Sequence, residues 1–218
     1  MSCAICETRK EKRFCPAVHG RICPQCCGEQ REVTLDCPSD CVYLRQAREH
    51  EKPRPMESLE QSVLFPAVEI SEQFLYEHDA LILGVSFALA KPARRDRGIR
   101  DSDLIAALAA VAKTYETRVN SGLHYEHSLA STSQQAIVTE LQELLEEFRE
   151  EEEKHLGYSR LRDSEVFRAL VFWLRMGHSF ASGRPRSRAF IDFLFRQFPE
   201  EKSGLVAPDE PESRIIVP

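Results

Sequence analysis

The residues best able to do chemistry are crowded into one end of the chain. All eight cysteines fall between Cys3 and Cys41, and the rest of the 218 residues carry none. With one histidine they form close pairs: Cys3-x2-Cys6, Cys15-x3-His19, Cys23-x2-Cys26 with Cys27 adjoining, and Cys37-x3-Cys41. Ligands two or three residues apart reach one ion from a tight turn, and Zn²⁺ takes four of them in a tetrahedron. The spacing therefore predicts two zinc ions, with Cys3, Cys6, Cys15, His19, Cys23, Cys26, Cys27, Cys37 and Cys41 as candidate ligands. A catalytic zinc keeps one position open and favours histidine or carboxylate ligands. Here thiolates suffice to close both sites, so the metal reads as structural. Disulfides and an iron–sulfur cluster are the competing uses of these sulfurs.

A frame repeats inside the cluster. Cys-Pro-x-x-x, ending in histidine or cysteine, runs from Cys15 to His19, from Cys23 to Cys27 and from Cys37 to Cys41. Proline fixes φ and removes a backbone donor, which helps to hold a knuckle around an ion. The Cys-x2-Cys spacing selects Cys26 and the repeat selects Cys27, so both stay candidates. Val42 to His50 reads as a helix, and Pro38 suits its first position. Cys37 and Cys41 are then expected one turn apart at the helix start.

A metal module that ends with ligands on a helix N-terminus resembles the treble-clef and cross-brace fingers, such as the MYND and HIT types. In those families the first and third pairs share one ion, and the second and fourth share the other. The resemblance implies one zinc on Cys3, Cys6, Cys23 and Cys26 (or Cys27). It implies a second on Cys15, His19, Cys37 and Cys41.

Composition narrows the class. Apolar residues make up 42% and charged residues 29%, ordinary for a folded globular protein. The net charge of −6 argues against general binding to nucleic acid or anionic membrane. The longest mostly apolar run, Ala80 to Ala90, is well short of the roughly 20 residues a span needs, so no membrane role is expected. Met1-Ser2-Cys3 opens without a basic start or an apolar run, which predicts a cytoplasmic, reducing compartment. Disulfides do not persist there.

Beyond the cysteines the chain reads as mostly α. The expected layout is a zinc module over 1–50, a linker over 51–70, a helical domain over 71–199 and a flexible tail over 200–218. Apolar residues at helical spacing predict a bundle of about five helices. They lie over 71–90, 103–120, from Ser131 to Gly157, from Asp163 to Met176, and from Ala189 to Phe198. Pro92 is expected to end the first. Asp101 or Ser102 is expected to cap the second, and Trp173 to anchor the core. Two basic loops stand out: Arg94, Arg95, Arg97 and Arg100, and Arg184, Arg186 and Arg188. They are candidates for anion or nucleic-acid contact, the second set beside a helix N-terminus. His124 and His127 flank Tyr125 and Glu126 and are the only hint of proton chemistry. No phosphate loop, nucleophile elbow or zinc-protease motif occurs. The leading expectation is a non-enzymatic adaptor whose zinc module meets a protein partner. A nucleic-acid binder using the arginine loops comes second, and an enzyme last.

Overall fold

The computed structural model describes residues 1–51, 55, 64–125 and 127–199. The capping signal at Ser58 and Gln61, most of the expected linker and the expected tail lie outside them. Among the described residues the chain is mostly helical, with a cysteine-rich N-terminal part. No helix there is long and apolar enough to cross a membrane.

The N-terminal part is small and built from turns. Strands β1 (Arg13–Cys15) and β2 (Gly20–Ile22) pair antiparallel, with Cys15 opposite Gly20. A 3-10 turn over Pro16–Val18 joins them and closes on His19 in the left-handed region. Two short helices follow, α1 (Pro24–Gln30) and α2 (Val42–His50). The Cys-Pro frame thus acts as a local rule. It starts the 3-10 turn at Pro16, α1 at Pro24, and a turn at Pro38 in which the Cys41 N–H donates to the Pro38 carbonyl at 3.0 Å. The third case corrects the expected helix start. α2 begins at Val42 with Cys41 as its N-cap, so Cys37 lies outside the helix.

The body holds α3 (Glu72–Glu77), α4 (Asp79–Arg95), α5 (Asp101–Ser121), α6 (Thr132–Leu156), α7 (Asp163–Phe180) and α8 (Ala189–Gln197). The described chain therefore has eight α-helices, six of them in the body, rather than about five. The extra body helix comes from a break at His78 (φ −117°, ψ 29°), which ends α3 and begins α4. His78 stacks on Phe74 at 4.6 Å and lies 4.0 Å from Glu165. Pro92 does not stop α4, which continues to Arg95 with Pro92 buried inside it. Gly122 and Gly157 close α5 and α6 at φ 70° and 79°, values that favour glycine.

α5 packs along α7 and α4 along α6, with α8 across α4 and α7. Leu104, Leu108, Ile137, Leu141, Leu170 and Leu174 are fully buried between them. Trp173 anchors this core and donates its indole N–H to the Ile82 carbonyl at 2.9 Å. Residues 64–70, within the expected linker, pack on the body. Phe65 meets Phe167 edge-on, and Arg175 donates to the carbonyls of Leu64, Phe65 and Val68.

The N-terminal part is seated on the body through a partly buried charged network centred on Glu32. Glu32 is 1% exposed and sits at φ 54°. Its carboxylate accepts from Arg48 at 2.7 Å and from the Ser182 hydroxyl at 3.3 Å. Its carbonyl accepts from the Arg186 N–H at 2.8 Å. Arg48 also pairs with Asp192, whose second oxygen takes the Ser39 hydroxyl at 2.7 Å. Burying one member of such a network without its partners would be costly, so the seam is specific.

Candidate metal centre

Cys3 opens a looped knuckle. Its N–H donates to the Arg9 carbonyl at 2.8 Å, and its own carbonyl accepts from the Glu7 N–H at 2.8 Å. Ser2 and Lys10 bridge at the base of the loop, and Glu7 turns it at φ 55°. The second knuckle is the junction of β2 and α1. Cys23 is the N-cap of α1, Pro24 occupies its first turn, and Cys26 follows. The Ala4 N–H donates to the Arg21 carbonyl at 3.0 Å and lays the two knuckles side by side.

The sulfurs of Cys3, Cys6, Cys23 and Cys26 lie within 4.8 Å of one another. A Zn–S bond of about 2.3 Å sets the sulfurs of a tetrahedral site about 3.8 Å apart, so this cluster is near the required size. Cys3, Cys23 and Cys26 are buried and Cys6 is half-buried. Backbone donors aim at the sulfurs. The Cys23 N–H points to Cys3 Sγ at 3.2 Å, and the Cys26 N–H to Cys23 Sγ at 3.4 Å. Such bonds stabilise thiolate, the form that ligates metal. The donor set fits a metal ion held structurally: four soft ligands, closed from two sides.

The electrostatics fit the same chemistry. Hydrogen bonds from the Thr8 side chain, then from the backbone of Arg9 and Thr8, pull the Cys6 thiol down to about 5. The Cys26 N–H does most to lower Cys23. Burial, then the neighbouring sulfurs, push Cys26 up to about 12. Thiols ligate as thiolates, so metal binding here would be linked to proton release. Arg9, with Nη1 4.0 Å from Cys26 Sγ, brings one positive charge to its edge.

Cys27 is not in this group. It is the next residue on α1, about 100° further round the helix. It is buried in the same small core as Cys15 and Leu35, but its sulfur is not one of the four that converge. The x2 spacing therefore picked the residue that joins the cluster, and the Cys-Pro repeat did not.

Cys15, His19, Cys37 and Cys41 form no group as tight among the described residues. Cys15 ends β1, His19 is exposed at φ 48°, and Cys41 caps α2. Cys37 is near enough to feel two of these. Burial raises its thiol most, the Glu32 backbone opposes that, and the charges of Cys15 and Cys41 add to the rise.

The arginine loops are largely employed within the fold. Arg95 pairs with Glu140 at 2.6 Å, and Arg100 with Asp36 at 3.0 Å. Arg184 donates to the Arg31 carbonyl at 3.0 Å, and Arg188 to the carbonyls of Ala93, Arg97 and Ile99. Arg94 donates to the Phe198 carbonyl and lies over the Phe195 ring. Arg97 and Arg186 are exposed. Three of these arginines therefore reach from the body towards the metal module or brace the loop beside it.

The N-terminus of α8, where an external anion was expected, is filled from within. Asp101 is 1% exposed and accepts from the Phe190 N–H at 3.2 Å, the Ile191 N–H at 3.1 Å and the Ser187 hydroxyl at 2.7 Å. Asp101 or Ser102 was expected to cap the second predicted helix of the body. Instead Arg100 is the N-cap of α5, and Asp101 serves α8. Only contact across the fold reveals this role, since Asp101 and Phe190 share no local motif.

His124 and His127 line one cleft of about 300 Å³ between α5 and α6, with Tyr115, Arg118 and Arg149. Asp163 ties both arginines, at 3.4 Å to Arg118 and 3.0 Å to Arg149. No cysteine or serine lines this cleft among the described residues.

No family model matches the chain, and neither the curated proteins nor the solved structures give a match.

Proposed function

We propose that the chain is a non-enzymatic, cytoplasmic adaptor whose N-terminal zinc module presents a rigid surface to a protein partner. The reading is carried by one observation: the sulfurs of Cys3, Cys6, Cys23 and Cys26 lie within 4.8 Å of one another, with backbone N–H groups aimed at two of them. A closed four-sulfur site builds a fold rather than activating water. The module is of the treble-clef, cross-brace class and holds two zinc ions, the second on Cys15, His19, Cys37 and Cys41. The charge of Cys37 is coupled to those of Cys15 and Cys41, which supports a shared second site.

The surface such a module offers is apolar at the hairpin. Phe14, on the outward face of β1, is 55% exposed, and Val18 in the adjoining turn is 38% exposed. A rigid exposed aromatic beside a metal knuckle is a suitable anchor for a partner. Arg13 lies over the Tyr43 ring at 4.6 Å and braces the hairpin against α2. The test is quantitative proximity labelling in cells with the wild type and Phe14→Ser, with zinc content measured on both. The expected result is equal zinc and the loss of a defined set of neighbours. Identical neighbour profiles at equal zinc would remove the hairpin from the role.

A further inference from the structure

The two basic loops, some ninety residues apart in the chain, meet at one cleft (Arg97 and Arg188 are joined by a 2.8 Å hydrogen bond). The cleft has a volume of about 570 Å³ and lies at the seam between the metal module and the body. The turn of Pro38 to Asp40 forms one wall. The end of α4, the loop to α5 and the start of α8 form the other. Arg94, Arg97, Arg100 and Arg188 line it, together with Asp36, Asp40 and Cys37.

The guanidiniums are fixed but not neutralised to the same degree. Arg188 donates to the carbonyls of Ala93 at 3.1 Å, Arg97 at 2.8 Å and Ile99 at 2.6 Å. These acceptors are neutral, so they orient the group and leave its charge in place. Arg100 shares its charge with Asp36 at 3.0 Å. The Arg97 side chain is exposed and has no ion pair among the described residues. Burial, the largest influence, works against the charge on Arg188. Asp192 favours that charge, and Arg100 opposes it. A bound anion would relieve that strain.

We infer that this cleft is a binding site for a phosphate-bearing small molecule, contacted by Arg97, Arg100 and Arg188. Guanidinium forks match phosphate oxygens in pairs, and three of them converging suit a group carrying more than one negative charge. The volume falls in the range of about 300–1,000 Å³ typical of small-ligand pockets. A nucleic-acid strand is disfavoured because no exposed aromatic platform alternates with these arginines. The site is distinct from the four-sulfur centre. It requires the module to be seated on the body, because each supplies one wall.

The test is calorimetric titration of the full chain, reduced and with zinc content measured on each sample, using pyrophosphate as probe. Sulfate at equal ionic strength and a short single-stranded oligonucleotide are titrated in parallel. The expected result is saturable binding of one pyrophosphate, weakened by about tenfold or more in Arg97→Glu and less in Arg97→Lys. Arg97 is exposed, so these variants keep the fold and its zinc. No saturable pyrophosphate binding by the wild type would overturn the inference, as would equal affinity in Arg97→Glu. Tighter binding of sulfate or of the oligonucleotide would overturn it in favour of a general anion site or a nucleic-acid site. A chain that binds pyrophosphate in this arginine-dependent way yet purifies without zinc would sink the metal reading and leave this one standing.

Discussion

The metal module and the helical body solve the same problem by different means. The body closes a conventional core, in which Leu104, Leu108, Leu141 and Leu170 are wholly out of water. The module has too few apolar side chains to do that. Its core cluster is Cys3, Cys15, Ile22, Cys23, Cys26, Cys27 and Leu35, most of them cysteines, and among the described residues Leu44 is the one further buried apolar residue there. Small folds without a sizeable core need staples, and the four-sulfur cluster, which could hold a metal ion, is where one would sit. The body should therefore fold on packing alone, whereas the module is expected to depend on a bound metal ion.

Removing the ligand should separate the two most sharply. Apparent binding energies of structural zinc run to about 10–16 kcal/mol, more than so small a module can replace. Chelation under reducing conditions is expected to melt α1, α2 and the hairpin while α4 to α8 keep their helical circular dichroism. Loss of all helical signal in one step would show that the body also depends on the module.

The complementary break is in the body core. Leu170→Ala is expected to cost about 2–5 kcal/mol in chemical denaturation while the zinc content is unchanged. A drop in zinc with that variant would mean that the two regions fold as one unit.

The seam comes next. Arg48→Ala leaves the carboxylates of Glu32 and Asp192 without their shared cation. Leaving the buried Glu32 carboxylate without its cation is expected to cost about 2–3 kcal/mol, less than for a fully buried pair because Arg48 and Asp192 are partly exposed, which denaturant titration would read. Limited proteolysis should then cut between module and body faster than in the wild type. Unchanged proteolysis would show that other contacts hold the seam.

The smallest effect is a pH dependence in the body. Burial pushes the Asp101 carboxyl up, against its hydrogen bonds from Ser187, Ile191 and Phe190. A raised folded-state pKa contributes stability that is present below the unfolded value and is lost as pH rises through the folded one. The stability of the wild type relative to Asp101→Asn should therefore fall as pH rises across the carboxylate range. A rise across that window would reverse the sign of the shift.

What could be read from the sequence follows the same division. The knuckles obey local rules, so Cys3, Cys6 and Cys23 were legible from spacing, whereas the choice between Cys26 and Cys27 stayed open in the sequence and the fold brings Cys26 into the group. Ser131 and Gly157 likewise announced their helix ends. Contacts between distant segments were not legible. Glu32, Arg48 and Asp192 look like ordinary surface charge, yet they build the seam. Asp101 looks like a cap for α5 and instead caps α8. Arg188 reads as serving the N-terminus of α8, but its guanidinium turns to the loop carbonyls of the α4–α5 connection, where it lines the cleft at the seam. Pro92 reads as a stop, but burial in the core carries α4 past it. The break at His78 has no Gly or Pro to announce it, and stacking on Phe74 accompanies it.

The most direct test of the account is the metal content of the full chain, purified under reducing conditions, compared with that of Cys23→Ser. Two zinc ions in the wild type and one fewer in the variant are the predicted result. No metal in the wild type, or the same content in both, would contradict a metal centre on Cys3, Cys6, Cys23 and Cys26.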